Sequence, residues 1–356
     1  VMEKMKALDE IDRNFAIKSE IKKEDLRFYD IEQDPFKIYG VFKENGQYRR
    51  LPEAVAGRVS SGVAALHLNT AGGRVRFKTN SPYIAIHAEM NHIGKMPHFT
   101  LAGSAGFDLY INGEESRYAG TFMPPFQIDG GYESVIDFDA VKMREITINF
   151  PLYSGVCALY IGLADGSAVE EPAPYTCEKP VVYYGSSITQ GGCASRPGNS
   201  YQAVIARRLN CNYINLGFSG SAKGEKEIAE YIAQLDMSVF VYDYDHNAPD
   251  AAFLEATHRP MFEQIRMRQP ELPVIMLTRP NHVPGRQTDE RIRIVYNTYE
   301  TAVQAGDQNV YFINGQEIFH YRDPDMMTVD GTHPNDFGFW CMAELIGARL
   351  EKILNP

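Results

Sequence analysis

Apolar residues follow two different rhythms along the chain, and the change comes near residue 175. From about 36 to 165 they alternate with polar ones. Val75 and Phe77 lie between Arg74, Arg76 and Lys78, and Ile84 and Ile86 between Tyr83, Ala85 and His87; Ile146, Ile148 and Phe150 repeat the pattern, as do Leu159 and Ile161. A period of two marks strands with one buried face. Turn residues separate them, as in Glu44-Asn45-Gly46, Ala71-Gly72-Gly73, Asn80-Ser81-Pro82, Ile111-Asn112-Gly113 and Asp129-Gly130-Gly131. Many short strands so spaced predict an all-β sandwich over 31–169, with no long helix in its middle. A polar helix or arm (1–30) precedes it.

A Pro-rich connector, 170–180, then gives way to continuous apolar runs at 181–184, 213–216, 239–242, 274–277 and 310–313. Runs of this kind suit strands buried on both faces. Helical patterns lie between and after them, near 200–209, 225–235, 259–269, 288–305 and 336–353. The alternation predicts an α/β domain over 181–356: a three-layer α/β/α structure around a five-stranded parallel sheet with right-handed crossovers. Ligands of such sheets sit beyond the carboxyl ends of the strands, so the loops there are where chemistry is expected.

Composition narrows the field. Hydrophobic residues make up 44% and charged residues 23% of 356 residues, which fits a folded globular chain of about two domains. The balance of 35 Lys and Arg against 46 Asp and Glu gives a net charge of −11. An acidic chain with no basic cluster excludes nucleic acid as the expected partner. The densest basic run, 18–27, is interleaved with Glu20, Glu24 and Asp25 and reads as a solvated face. No stretch approaches the roughly 20 apolar residues of a membrane span, and residues 1–6 lead into charged sequence, so neither membrane nor signal peptide is expected. Five cysteines (Cys157, Cys177, Cys193, Cys211, Cys341) without CxxC spacing argue against a zinc site and a disulfide framework, and for a reducing, cytoplasmic setting.

The strand-end loops carry the candidate chemistry. After the first run comes Gly185-Ser186-Ser187-Ile188-Thr189-Gln190-Gly191-Gly192. It is neither a dinucleotide fingerprint nor a G-x-S-x-G elbow. A serine at a strand-to-helix turn can present its hydroxyl above the sheet, or simply cap the helix. After the second run comes Asn215-Leu216-Gly217-Phe218-Ser219-Gly220, where a glycine lets backbone approach a ligand. After the third comes Tyr242-Asp243-Tyr244-Asp245-His246-Asn247, a polar run that costs desolvation unless it faces a cleft. Before the last helix comes Asp330-Gly331-Thr332-His333, whose carboxylate can orient the imidazole three residues later.

In this order the four blocks resemble those of the SGNH hydrolases, also called GDSL-like esterases: a Gly-Asp-Ser turn, a glycine, an asparagine and an Asp-x-x-His. The resemblance covers about 178–355 and implies a flavodoxin-like sheet. It implies Ser187 as nucleophile, Asp330 and His333 as its triad partners, and the Ser187 amide, Gly217 and Asn247 as oxyanion-hole donors. Two departures stand out. Ser186 occupies the place where most members have aspartate, and Asp245-His246-Asn247 replaces the more usual Gly-x-Asn-Asp, which leaves His246 a rival for the amide role. Upstream, Gly106-Phe107-Asp108-Leu109-Tyr110 looks like the Gly-x-Asp-Leu-Tyr signature of the β-sandwich (jelly-roll-like) domain that precedes the hydrolase in a subset of bacterial members, which resemble two-domain carbohydrate esterases.

The resemblance implies a serine esterase acting through an acyl-enzyme on small O-acyl esters, acetyl foremost, carried by carbohydrate. An acyltransferase would share every one of these residues, and a non-catalytic carbohydrate-binding protein is the third alternative. No long apolar lid segment is seen, so a short acyl group is expected. No cofactor is called for, and no H-E-x-x-H spacing suggests a metal. Arg196, Arg279 (in Arg279-Pro280-Asn281-His282) and His246 are candidate substrate contacts, each weighed against a plain surface role. His87, His92 and His98 read as surface or core groups, and Cys193 as structural. Self-association is left open.

Overall fold

The five continuous apolar runs form one parallel sheet. The structure is a computed structural model that describes residues 5–12, 17, 19–114, 116–280, 288–319 and 323–355. It divides into two compact units: Val1–Arg49, Leu68–Pro174 and Arg196–Gly198 in the first, and Arg50–His67, Tyr175–Ser195 and Asn199–Pro356 in the second. Among the described residues, no helix is long and apolar enough to cross a membrane.

The first unit is built of antiparallel strands. One sheet runs Leu26–Asp30, Gly155–Ala164, Tyr83–His92, Gly131–Asp137; the other runs Val169–Glu170, Arg74–Thr79, Arg144–Asn149, Phe107–Asn112, Arg117–Phe122, with Lys37–Tyr39 also on Arg74–Thr79. The alternating apolar positions do what their period demands. Val75, Phe77, Leu109, Ile146 and Ile148 of one sheet and Ile84, Ile86, Leu159 and Ile161 of the other share a single buried cluster. The polar positions are less simple, because Arg74 and Arg76 are buried too. Arg76 is paired with Glu145 at 2.7 Å, and Tyr39 lies beside both guanidiniums, 5.5 Å from Arg74 and 5.9 Å from Arg76. A buried cation is tolerated when it is so paired.

The Gly-x-Asp-Leu-Tyr pentapeptide has a physical account at each position. A Cβ on Gly106 would lie 2.4 Å from the Ala102 carbonyl, and Leu109 enters the core. The Asp108 carboxylate is fully buried and accepts from Asn149 Nδ2 (2.8 Å), Gly198 N (2.8 Å) and Arg196 Nη1 (2.9 Å). The Tyr110 hydroxyl accepts from the same guanidinium.

The second unit has strand order Cys211–Gly217, Cys177–Gly185, Val239–Asp243, Val274–Leu277, Val310–Ile313, all parallel, so the chain enters at the second strand, adds the edge strand beside it and then reverses once toward the other edge. Both faces are covered. Val182, Tyr184, Phe240, Tyr242 and Met276 face a cluster with Ile228, Ile232, Leu254, Ile265 and Val295 of the helices Lys226–Ile232, Ala251–Arg268 and Thr288–Gln304. On the other face, Tyr183 packs edge-on against Tyr201 of Tyr201–Leu209, which stacks on Phe339 of Asp336–Leu354.

Three expectations are corrected. Arg50–His67 belongs to the second unit and holds two short helices, Glu53–Val59 and Ser61–Leu66, where only strands were expected. Ser60 interrupts them with an extended backbone and caps the second through Val63 N (3.1 Å), which hides any helical period. Leu51, Ala56 and Val63 join the apolar cluster beside Ile228 and Ile232. The Pro-rich connector is also shorter than 170–180, because Glu170 already pairs with Lys78 and Cys177 with Cys211. Finally, the helix expected to start near 259 begins at Ala251, capped by Asp250, and runs through Pro260.

Replacing Asp108 by alanine removes the acceptor of two buried donors, Asn149 Nδ2 and Gly198 N, and the carboxylate partner of the half-buried Arg196. We expect a loss of about 3 kcal/mol, the usual scale for breaking one side of a buried ion pair, seen as a lowered thermal midpoint of the first unit. An unchanged midpoint would remove Asp108 from the forces holding that unit.

Candidate active site

At the end of the strand Cys177–Gly185 the chain turns abruptly into a four-residue helix, Ser187–Gln190. Gly185 is required there, since a Cβ would lie 2.0 Å from the Asp243 carbonyl and 2.2 Å from Thr189 Oγ1. Ser186 is the helix N-cap, its Oγ accepting from Ile188 N at 3.2 Å, so serine fills locally the place where aspartate is more usual. Gly191, at φ +103°, closes the helix. So short a helix leaves carbonyls that need donors. That of Thr189 receives Gln202 Nε2 (2.6 Å) and Asn215 Nδ2 (2.7 Å).

Ser187 Oγ lies 2.9 Å from His333 Nε2, across 146 residues of chain. His333 Nδ1 lies 2.8 Å from Asp330 Oδ2. An ionised carboxylate only accepts, so Nδ1 carries the ring proton, Nε2 is left as an acceptor and the serine hydroxyl donates to it. Asp330 is held from a second side: its Oδ1 accepts the amides of Thr332 (3.0 Å) and His333 (2.8 Å). Partial burial alone would raise the carboxyl pKa. The His333 amide, the His333 ring and the Thr332 amide outweigh it and bring the carboxyl down to about 2. The Asp330–His333 turn is itself tied down. Val329 N donates to the His333 carbonyl at 2.9 Å, and Asn335 caps the last helix through Phe337 N and Gly338 N.

The two neighbouring loops supply candidate hydrogen-bond donors. Gly217 does not, because its N–H donates to Asn215 Oδ1 at 2.9 Å, which corrects the expected role. Glycine is needed there for close approach instead: a Cβ would meet Gln190 N at 2.2 Å. The amides that follow are mostly spent. Phe218 N bonds the Gly185 carbonyl, Ser219 N bonds Gln190 Oε1, and Ser221 N and Ala222 N share the Phe218 carbonyl. Among the described residues, Gly220 N has no such partner. The residue is exposed, at φ +65°, with nothing within 4 Å of where a Cβ would stand. The sequence signal was present in Phe218-Ser219-Gly220, but two glycines three apart cannot be ranked without the hydrogen bonds.

Asn247 ends a 3₁₀ turn, Asp245–Asn247, and its Nδ2 donates to the Phe218 carbonyl at 3.0 Å, linking the two loops. Its rival His246 donates from Nε2 to the Pro280 carbonyl at 3.2 Å. Desolvation outweighs the attraction of Asp245 and, with Arg279 and His333 nearby, brings the imidazole down to about 4, so it is neutral near pH 7.

Of the other candidates, Arg196 donates through Nη1 to Asp108 and to the Tyr110 hydroxyl and lies 4.0 Å over the Tyr118 ring. Arg279 donates to Thr288 Oγ1 at 3.3 Å, and among the described residues its buried Nε has no hydrogen-bond partner. Asn281 and His282 lie outside the described residues. His87 is bonded to Glu133 at 2.8 Å. Burial, then the charge of Asp330, push the Cys193 thiol up to about 12, which keeps it protonated. Two residues carried no motif signal. Arg50 is buried, donates to the carbonyls of Asn215, Gly217 and Leu66, and covers the Phe218 ring at 4.7 Å. Arg291 is buried against Asp245.

In a carbon-detected NMR titration the Asp330 carboxyl should have a midpoint near 2, moving up in His333→Ala as the ring bond is lost. Because the folded value is depressed, its contribution to stability is complete above the unfolded value near 3.9 and fades as pH falls toward 2. A midpoint at or above 3.9 in the intact protein would contradict the described bonding.

Residues 178–351 match the model of the GDSL-like lipase/acylhydrolase family, and residues 26–169 match the GxDLY model, the N-terminus of SGNH-hydrolase-type esterases. A comparison with curated proteins gives no match. Among solved structures, a GDSL-like lipase from Bacteroides ovatus is 28% identical, with 92% of this chain and 98% of that one covered and a TM-score of 0.82. A salicylyl-acyltransferase from a tetracycline biosynthetic pathway is 20% identical (93% and 98% covered, TM-score 0.73). A family two carbohydrate esterase from Clostridium thermocellum, in complex with cellohexaose, is 16% identical (80% and 93% covered, TM-score 0.58). The chain is a two-part esterase of the GDSL-like (SGNH) family, with a GxDLY domain ahead of the hydrolase domain.

Proposed function

We propose that the protein is a serine esterase that removes small O-acyl groups, acetyl foremost, from carbohydrate, with Ser187, His333 and Asp330 as its triad. The observation that carries this reading is the unbroken line of hydrogen bonds from Ser187 Oγ through the His333 ring to Asp330. His333 Nε2 takes the serine proton as Oγ bonds to the ester carbonyl carbon. Asp330 keeps the proton on Nδ1 and stabilises the imidazolium. The tetrahedral oxyanion is received by the Ser187 amide, the Gly220 amide and the second Asn247 Nδ2 proton. The imidazolium then protonates the departing sugar oxygen as its bond to carbon breaks. Water, deprotonated by His333, releases the acid from the acyl-enzyme and restores the serine.

Carbohydrate is favoured as the alcohol by the likeness to an esterase that holds cellohexaose, and a short acyl group by the lack of a long apolar lid segment in the sequence. Transfer to an alcohol other than water is a second reading, favoured by the likeness to a salicylyl-acyltransferase. The intermediate is common to both. The partition of acetyl between water and added sugar alcohols separates them.

Ser187→Ala should fold normally and lose acetate release from acetylated sugars and from p-nitrophenyl acetate by more than about 10³-fold. Turnover close to that of the intact enzyme would exclude Ser187 as nucleophile. Asn247→Ala should lower kcat by about 10²–10³, the usual scale for one oxyanion donor. An unchanged kcat, with His246→Ala strongly impaired, would assign that role to His246.

A further inference from the structure

The turn that carries Asn247 has little regular structure to hold it. Its own backbone supplies two bonds, Asn247 N to the Tyr244 carbonyl (2.9 Å) and Ala248 N to the Asp245 carbonyl (3.3 Å). The rest of the grip comes from a helix elsewhere in the chain. Arg291, in the first turns of Thr288–Gln304, donates through Nη1 to the Asp245 carbonyl (2.8 Å) and to Asp245 Oδ1 (2.9 Å), and through Nη2 to the Ala248 carbonyl (2.9 Å). One guanidinium therefore holds the carbonyls on both sides of Asn247. The remaining oxygen, Asp245 Oδ2, accepts Arg279 N (3.1 Å) at the end of the next strand, so the turn is also fixed against the sheet edge. Asp245 and Arg291 are both buried.

A buried ion pair is an inefficient way to stabilise a fold, since well-packed apolar residues of similar volume often do as well or better. It is an efficient way to fix geometry: the planar fork meets three acceptors at set angles, which the single ammonium of lysine does not. On its far side the Asn247 amide is aimed by its bond to the Phe218 carbonyl. We propose that Arg291, acting through Asp245, is a positioning residue that sets the Asn247 amide for the developing oxyanion. The proposal rests on the role given to Asn247 above. A displacement of about 1 Å at such a donor costs rate even when the fold survives.

The test is a double-mutant cycle on the full chain, with acetate release as readout and thermal midpoints recorded alongside. Arg291→Lys should lower kcat by about 10- to 100-fold with KM changed less than about threefold. In an Asn247→Ala background the same change should lower kcat by less than about threefold, because the group it positions is gone. Asp245→Asn, the second variant, should show the same dependence on background. Equal losses in both backgrounds, or turnover of Arg291→Lys equal to that of the intact enzyme, overturn the proposal. So does failure of both variants to fold, which would assign the clamp to the fold alone. An Asn247→Ala enzyme with undiminished kcat refutes the underlying role of Asn247 and this inference with it; an impaired one with additive Arg291 effects refutes this inference alone.

Discussion

Parallel strands deliver every following loop to one edge of a sheet, and the site depends on that constraint. Ser187 follows the strand Cys177–Gly185, Phe218–Gly220 the strand on one side of it, and Asp245–Asn247 the strand on the other. Strand order places the three loops side by side before any side chain is considered. The fourth element, the Asp330–His333 turn, arrives by a different route. It precedes the last helix, whose Asp336 binds Ser195 through its amide and its hydroxyl, and also Asn199 Nδ2. That helix is thereby fastened to the loop that follows the nucleophile.

Adjacency brings loops together, but chemistry needs them held to a fraction of an ångström. The means here is to leave few backbone polar groups of these loops unanswered. The Thr189 carbonyl takes two amide side chains, the Phe218 carbonyl takes two backbone amides and Asn247, and Arg50 covers the carbonyls of Asn215 and Gly217. Each such group would cost about 1–3 kcal/mol if buried without a partner, so the arrangement resists being pulled apart loop by loop. Against this background, an exposed Gly220 amide with no described acceptor is the kind of exception a reacting site requires.

The legibility of the chain varied with the kind of signal. The five sheet strands were readable because a strand buried on both faces must be apolar throughout, and the sandwich core because period two survives wherever one face is buried. Glu53–Val59 and Ser61–Leu66 were not, since seven- and six-residue helices split by a capping serine give no period to detect. Ser187, Asp330 and His333 were marked by the resemblance of four ordered blocks to a known family, and the fold brings them within hydrogen-bond distance. The second-block glycine was read as Gly217, since sequence shows where a glycine is, not which oxygen its amide faces. The bonds of Arg196 to Asp108 and Tyr110 are hidden for a similar reason, since sequence shows a loop arginine and not what holds it. Arg50, and Arg291 apart from its pairing with Asp245, bind backbone carbonyls, which have no residue signature at all.

Esterase chemistry of this kind asks the protein for an ordered proton path and fixed donors, and the geometry around Ser187 offers both. The central claim is that acyl transfer passes through Ser187 itself. Rapid mixing with an activated acetyl ester, acid quenching and mass spectrometry of the digested protein measure this most directly. The account predicts one added acetyl group on the peptide that contains Ser187, accumulating in the first turnover and lost on further incubation. Hydrolysis with no covalent adduct, or an adduct that forms and decays on another residue at the rate of turnover, would contradict it.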